Sequence, residues 1–300
     1  MSFLHKLIEN NEIEIFKNEI KKINIDLNVK NEHNITLFFS ACLNGCLEII
    51  KLLIDDQRVN INALNTFGYT AFSSACLNGD LQIISILIEN QRLDINTSDM
   101  FGYTPFSSAC FYGNLEIIKF LLKDQRVNIN FPNIHGLTAF HEACCTGNLE
   151  IVKLLLQDPR LNINILNNDG ISCLLYSCLN RNLNIIKLLI ETPQVDINIS
   201  DENGWTAFHE ACFSENFNII NLFFSSNRKI NFDKKTFEKI DIYPSGTTAY
   251  DILKKGNINL NFDKIQKVKI SKNKKLIFSA ADGDIATLKF LLKIKKYKHN

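Results

Sequence analysis

The sequence predicts an all-α repeat solenoid, and three observations lead to this fold class. Five glycines recur at an interval of 34 residues, and each is followed two positions later by Thr or Ser. Six cysteines recur at the same interval, and each interval also carries the pattern of two short helices. A constant period of this length is typical of stacked helical repeats. The glycines are Gly68, Gly102, Gly136, Gly170 and Gly204, and the cysteines are Cys42, Cys76, Cys110, Cys144, Cys178 and Cys212.

The segment that begins at Gly102 shows how one repeat is built. Thr104 is a favoured N-cap, and Pro105 suits the first position of a short helix. Gly113 is suited to end that helix. A second helix is predicted after Asn114, and the matching residues of other repeats can also cap a helix: Asp80, Asn148, Asn182 and Asn216. The apolar face of the second helix is formed by Leu115, Ile118, Leu121 and Leu122, and Ile117 and Phe120 broaden it.

A polar connector follows each helix pair. In the connector after Leu122, Val127 and Ile129 alternate with asparagines, which predicts an extended, hairpin-like arm. The arm is expected to turn at Gly136.

The start of the first helix carries the strongest family signal. It reads TPFSSA from Thr104, TAFSSA from Thr70, and TAFHEA from both Thr138 and Thr206. This pattern, at a period close to 33 residues, resembles the T-P-L-H-x-A core of the ankyrin repeat. The resemblance implies stacked ankyrin repeats, each a helix-turn-helix pair with a hairpin-like arm.

The domain boundaries are placed where the repeat pattern weakens. We expect an N-terminal capping repeat at 1–30 and six ankyrin repeats at 31–232. A degenerate repeat and a lysine-rich segment are expected at 233–275, and a C-terminal capping helix pair with a basic tail at 276–300. In the fifth and sixth repeats, Arg181 and Glu215 replace the glycine that ends the first helix, so these two ends are expected to be less well formed.

The periodic cysteines are expected to be buried apolar side chains. Directly packed helices lie about 8–10 Å apart, and equivalent Cα atoms at that spacing exceed the limit of about 7 Å for a disulfide. A disulfide framework or a metal set is therefore disfavoured.

Composition favours a cytoplasmic protein, with the nucleus as the alternative location. The net charge is +1, which gives no global signal for nucleic acid or an anionic membrane. Charged residues interrupt the N-terminal segment that a signal peptide would need. No apolar run reaches the length of about 18 residues expected of a membrane span.

The resemblance implies a non-enzymatic scaffold that binds a protein partner on the concave face of the solenoid. In that family this face is formed by the arm tips and the ends of the first helices. Aromatic residues are favoured as anchors because they bury a large area at a small entropic cost. The alternative is that some of them fill space between repeats. The expected partner-binding residues are Phe67, Tyr69, Phe101, Tyr103, Phe111, Tyr112, Trp205 and Phe213.

No pattern points to catalysis, a cofactor, a metal or a small-molecule substrate. His141 and His209 are each followed by Glu, but neither segment continues to the second histidine of the H-E-x-x-H zinc motif. By the resemblance, both histidines are expected to brace the turn before the first helix. Cys145 lies four residues after His141, but two ligands do not make a closed metal site.

Three alternatives remain open from the sequence. The chain could be an adaptor or targeting subunit whose repeats choose a client while the region after Asn231 recruits a second protein. The lysine-rich C-terminal end, which starts at Lys264, could contact nucleic acid or a membrane surface, although such runs are usually solvated. An unrecognised active site in 233–275 is the least favoured alternative, since that segment lacks a core of its own.

Overall fold

The computed structural model describes residues 3–22, 24–226, 228–231, 234–236, 245–249, 251 and 252. Over these residues the regular secondary structure is entirely α-helical, which confirms the predicted all-α repeat solenoid. The first helices of the pairs are α1 (Phe3–Glu9), α3 (Leu37–Leu43), α5 (Ala71–Asn78), α7 (Pro105–Tyr112), α9 (Ala139–Thr146), α11 (Cys173–Leu179) and α13 (Ala207–Phe213). The second helices are α2 (Ile13–Glu19), α4 (Leu47–Asp55), α6 (Leu81–Ile88), α8 (Leu115–Leu121), α10 (Leu149–Leu156), α12 (Leu183–Glu191) and α14 (Phe217–Ser225).

The chain divides into two compact units. Among the described residues, the first unit comprises those up to 142 together with 157–161, and the second comprises 143–156 and those from 162 to 252. In the first unit, α1 packs on α3, α3 on α5, and α5 on α7, while α2 packs on α4 and α4 on α6. In the second unit, α11 packs on α13, and α12 packs on both α10 and α14. Each unit therefore places first helices against first helices and second against second, as stacked repeats require.

The core of each unit is made by equivalent residues of successive repeats. Phe72 and Phe106 are fully buried in the first unit, as is Phe208 in the second. The six periodic cysteines are free and buried, as the spacing predicts. Burial raises the pKa of the Cys110 thiol, so this thiol stays protonated and unreactive at neutral pH.

The predicted helix caps are present, with one exception. The Thr104 hydroxyl accepts a hydrogen bond from the Ser107 amide at 3.2 Å, and Gly113 ends α7 in the left-handed region at φ 78°. Side chains of Asp80, Asn114, Asn148 and Asn216 cap their helices. The prediction for Asn182 is wrong. Its amide instead donates to the Cys144 carbonyl at 3.0 Å, a contact with the preceding repeat that the local sequence does not show.

Each arm closes through a side chain at its first residue. Oδ1 of Asp99 accepts hydrogen bonds from the amides of Phe101 and Tyr103, both at 2.9 Å. The chain turns at Gly136 with φ 75°, as predicted. No strand ladder forms over 125–133, where 125, 126, 129 and 130 lie in turns. The arms are nevertheless hairpin-like, because isolated antiparallel bridges close equivalent arms: Lys30 with Thr36, Leu166 with Ser172, and Ser200 with Thr206. The same closing role falls to Asn31, Asn65, Asn133, Asn167 and Asp201.

An asparagine ladder connects consecutive arms. Nδ2 of Asn62 donates to the Arg92 carbonyl at 2.7 Å, and its Oδ1 accepts from the Asp94 amide at 2.9 Å. One side chain thus replaces a strand pairing between neighbouring arms. The equivalent donor contacts are made by Asn28, Asn96, Asn130, Asn164 and Asn198.

Arginines form a second connection between repeats. The Arg160 guanidinium donates to the carbonyls of Leu122, Asp124 and Val127 at 3.0, 3.1 and 3.3 Å. Asp158 holds the guanidinium in place through Nε and Nη2, at 2.9 and 2.7 Å. These carbonyls lie at and beyond the C-terminal end of α8. Carbonyl groups there lack helical hydrogen-bond partners and carry partial negative charge, so they attract a cation. Arg92, Arg126 and Arg228 bind the preceding repeat in the same way.

The first helices of the fifth and sixth repeats are followed by a left-handed residue, as in the other repeats. Arg181 and Glu215 adopt the left-handed conformation at φ 58° and 50°. The Arg181 amide donates to the Cys178 carbonyl at 3.0 Å, compared with 3.3 Å for Gly113 and Cys110. The turn therefore forms without glycine, but α11 and α13 end one residue earlier than α5, α7 and α9 do. The expectation of less well-formed ends stays a prediction. The turn is kept, and the strain is carried by residues that have a Cβ.

Arg181→Gly is expected to stabilise the protein by about 1 kcal/mol, because glycine adopts this conformation without strain. Urea unfolding followed by circular dichroism measures the change. Arg181→Ala is the matched control, since it removes the same charge but keeps the Cβ. Equal stabilisation by both variants would show that charge, and not backbone strain, is responsible.

The described residues near the C-terminal end resemble the start of a repeat. Gly246 has φ 81°. Two positions later, Thr248 and Asp251 cap each other, with the Asp251 amide donating to the Thr248 hydroxyl at 3.2 Å. The rest of the expected degenerate repeat, the lysine-rich segment and the capping pair at 276–300 lie outside the described residues.

Candidate functional site

Six of the eight predicted partner-binding residues lie in the first unit. Phe67, Phe101, Phe111 and Tyr112 are exposed, with 62%, 53%, 42% and 70% of their surface accessible. Tyr69 and Tyr103 are half-buried, as are most other residues that follow the repeat glycine. The largest exposed aromatic area therefore comes from two arms and the end of α7.

Two further exposed apolar residues extend the arm tips. Met100 is 60% exposed and Ile134 is 55% exposed. The Met100 amide donates to the Phe67 carbonyl at 3.5 Å, and the Ile134 amide donates to the Phe101 carbonyl at 3.1 Å. We call Phe67, Met100, Phe101 and Ile134 the tip cluster. These hydrogen bonds bring residues from three consecutive arms next to one another.

A second apolar feature lies at the end of α7. The rings of Phe111 and Tyr112 meet edge to face, with centroids 5.1 Å apart. The ring of Tyr103 lies 6.0 Å from that of Phe111. Since Tyr103 follows Phe101 by two residues, it connects this helix-end pair, Phe111 and Tyr112, to the tip cluster.

Buried polar side chains hold the Tyr103 side chain in place. Its hydroxyl is hydrogen-bonded to the buried Glu142 carboxylate, which also accepts from Nδ2 of Asn133 at 3.4 Å. Burial, together with Glu142, raises the pKa of Tyr103 to about 12, so the hydroxyl remains a donor at neutral pH. Burial likewise raises the pKa of Glu142, and the Tyr103 hydrogen bond partly offsets this effect. The Tyr103 side chain is thus held in one position between the tip cluster and the helix-end pair.

The remaining predicted residues, Trp205 and Phe213, lie in the second unit. Trp205 is only 7% exposed. Its Nε1 donates to Glu210 at 3.3 Å, and its ring lies 5.3 Å from His209 and 5.7 Å from Phe213. Trp205 therefore fills space within its repeat and offers little area to a partner, whereas Phe213 is 40% exposed. Their role as anchors stays a prediction.

The arm tips of the two units differ in chemistry. Tips in the second unit carry polar residues, among them Asn168, Asp169 and Glu202. The prediction from aromatic residues alone missed Met100 and Ile134, although both lie two positions before a repeat glycine. Comparing every residue at that position, rather than aromatic residues only, would have identified them.

The two histidines brace turns, as the resemblance implied. Nδ1 of His141 lies 3.0 Å from the Thr138 hydroxyl. Nδ1 of His209 lies 2.8 Å from the Thr206 hydroxyl, and its Nε2 lies 3.0 Å from the Lys234 carbonyl. Burial lowers the pKa of His209 to about 4, so this ring is neutral at physiological pH.

Neither a metal centre nor a membrane span is found in the described part of the chain. Its His, Cys, Asp and Glu side chains form no group of three or more that could hold a metal ion. None of its helices combines the length and the apolar character needed to cross a bilayer.

Comparison with known proteins identifies the repeat type. The ankyrin repeat family model, which describes three copies per match, matches 4–99, 91–165 and 157–236. Among solved structures, EF0377, an ankyrin repeat protein, has 28% sequence identity and a TM-score of 0.57, over 63% of this chain and 97% of its own. The ankyrin repeat domain of Bcl-3, a member of the IkappaB protein family, has 20% identity and a TM-score of 0.64, over 74% of this chain and 97% of its own. No curated protein matches the sequence.

Proposed function

Because the chain belongs to the ankyrin repeat family, whose repeats generally mediate protein–protein interaction, we propose that it is a non-enzymatic scaffold that binds a protein partner. The proposed contact surface in the first unit consists of the tip cluster and the helix-end pair. It belongs to the face that is concave in ankyrin solenoids. The proposal involves no catalytic step, cofactor or small-molecule substrate.

The observation that carries the proposal is the exposure of six adjacent large apolar side chains. Each of the six is at least 42% exposed. Aromatic side chains bury about 150–250 Å² each when they are covered, and exposed apolar patches of a few hundred Å² commonly mark interaction sites. The free energy falls when a partner covers such a surface and excludes water from it, which favours binding.

The charge around these residues supports a largely uncharged contact. In the first unit, the two residues before each of the arm glycines Gly68, Gly102 and Gly136 include no Lys, Arg, Asp or Glu. Depletion of charge with enrichment of aromatic residues and Met is typical of the core of a protein interface. The fixed Tyr103 adds to this, because an ordered side chain loses little entropy on binding.

A variant carrying Phe67→Ser, Phe101→Ser and Tyr112→Ser tests the proposal. We expect affinity capture from native extract to recover at least about tenfold less of each specific partner, since interface aromatics often contribute 2 kcal/mol or more, on the order of a thirtyfold change in affinity. The amounts are measured by quantitative mass spectrometry, after circular dichroism shows that intact protein and variant are folded.

A matched control carries Phe3→Ser and Ile15→Ser. These residues are 59% and 46% exposed, and they lie on α1 and α2, away from the arm tips. The control should retain its partners. Partners retained equally by the test variant, or lost equally from the control, would contradict a binding role for the tip cluster and the helix-end pair.

A further inference from the structure

We propose that the partner presents an amphipathic α-helix to the first unit. The apolar face of this helix lies along successive repeats, on the tip cluster and on the exposed ends of the first helices. This inference rests on the proposed function and specifies the form that the partner takes.

The apolar contacts of the first unit recur at the repeat spacing. Phe67 and Phe101 occupy equivalent positions in successive repeats. The same is true of Leu43, Leu77 and Phe111, each of which follows a periodic cysteine. Because α3 packs on α5 and α5 on α7, equivalent residues lie at about the 8–10 Å of directly packed helices. A bound segment must therefore present an apolar side chain at about this interval.

A helix meets this requirement, and an extended chain does not. Seven residues of α-helix rise about 10.5 Å and complete close to two turns, so the seventh residue returns to the same face. Three residues of an extended chain also span about 10 Å, but successive side chains alternate, and the third one points away. A polyproline II segment also returns a side chain to the same face every three residues, at about 9.3 Å, but its backbone makes no internal hydrogen bonds. Only the α-helix combines this register with a backbone whose hydrogen bonds are already satisfied.

The backbone of the arm tips also disfavours pairing with a strand. Strand addition needs free main-chain donors and acceptors along an edge. The amides of Met100 and Ile134 already donate to the carbonyls of Phe67 and Phe101. The amide of Phe101 donates to Asp99. Because these main-chain groups are occupied, the partner must be bound through side-chain contacts, as when an amphipathic helix packs into an apolar groove.

Charge sets the chemistry of the contacting face. Leu43 is 45% exposed and Phe111 is 42% exposed, and the tip positions beside them carry no Lys or Arg. At the tip cluster, which has no charged member, a charged face on the partner would lose hydration without gaining an ion pair. The bound face of the helix is therefore apolar, with leucine-sized or aromatic side chains at about seven-residue intervals and charges on its opposite face.

Photo-crosslinking in the full chain measures the register directly. p-Benzoyl-phenylalanine replaces Phe67 in one variant and Phe101 in a second, and each variant is irradiated in native extract. Mass spectrometry then maps the attachment sites on the captured protein. The expected result is one partner segment in which the two sites lie about seven residues apart. The same probe at Phe3, which is 59% exposed, serves as the control and should attach at least about tenfold less.

The outcomes separate this inference from the proposed function. Sites about three residues apart, or on separate loops of the partner, would overturn the helix and leave partner binding intact. Attachment to a second copy of this chain would replace the helical partner with self-association. Attachment at only one of the two positions would overturn the helix alone. If neither position attaches any protein, with both variants folded by circular dichroism, both the helix and the proposed function would be overturned.

Discussion

Gly102→Val is expected to destabilise the protein by at least about 2 kcal/mol. Gly102 has φ 83°, and a Cβ placed on it would lie 2.8 Å from both the Asn133 Cα and the Ile134 amide nitrogen of the next arm. The left-handed conformation costs a β-branched residue about 1–3 kcal/mol, and overlap with backbone adds a further cost of about 1–3 kcal/mol. Urea unfolding followed by circular dichroism measures the loss.

Alanine substitutions separate the two costs. Gly45 has φ 68°, but a Cβ on it would meet nothing within 4 Å. We therefore expect Gly45→Ala to cost about 1 kcal/mol, and Gly102→Ala to cost about 1–3 kcal/mol more, because only Gly102 is crowded by a neighbouring arm. Equal losses at the two positions would mean that the arms separate at little cost.

Arg160→Met is expected to destabilise the protein by about 2–3 kcal/mol. The substitution removes a guanidinium that bonds three carbonyls of the preceding repeat while Asp158 holds it. Hydrogen bonds to charged groups contribute about 1.5–3 kcal/mol each, and the carbonyls left behind lose their partner. Thermal and urea unfolding measure the change.

Arg58→Met is the matched control for this position of the repeat. Arg58 reaches a single carbonyl of the preceding repeat, that of Ile20 at 3.4 Å, and its side chain is 53% exposed, against 23% for Arg160. Its loss should cost less than about 1 kcal/mol, as for exposed ion pairs. Equal effects of the two substitutions would show that the carbonyl contacts contribute little.

The loss of stability caused by Arg160→Met should also depend on pH. The hydrogen bond from Arg160 holds the pKa of Asp158 below its ordinary value. A carboxyl whose pKa is lowered on folding adds stability that is fully present above its unfolded pKa and is lost as the pH falls through its folded pKa. The difference in stability between wild type and Arg160→Met should therefore narrow in acid. A constant difference down to low pH would contradict this role of Asp158.

Local chemistry explains why much of the fold could be read from the sequence. Thr104, Pro105 and Gly113 set the limits of α7 through contacts within a few residues. The periodic cysteines are buried because their position repeats with the apolar face. Where one residue has two sets of partners available, the local rule is insufficient. Asn182 satisfies the carbonyl of Cys144, 38 residues earlier, and does not cap its own helix.

The candidate site was predicted less completely, because exposure is a property of neighbours. Phe101 precedes its repeat glycine and is 53% exposed, whereas Trp205 follows the equivalent glycine and is 7% exposed. Trp205 packs on His209 and Phe213, whereas Phe101 has Met100 and Ile134 beside it at the arm tips.

The sequence by itself determined the ankyrin repeat type, most of the helix caps and the burial of the periodic cysteines, because these depend on residue types at short and regular spacing. Only the tertiary structure decided how repeats are joined by Asn62 and Arg160, and which apolar residues remain on the surface. Those features depend on atoms that lie about one repeat away along the chain. Contacts of that range are set by how the repeats pack, and not by any local pattern of residues.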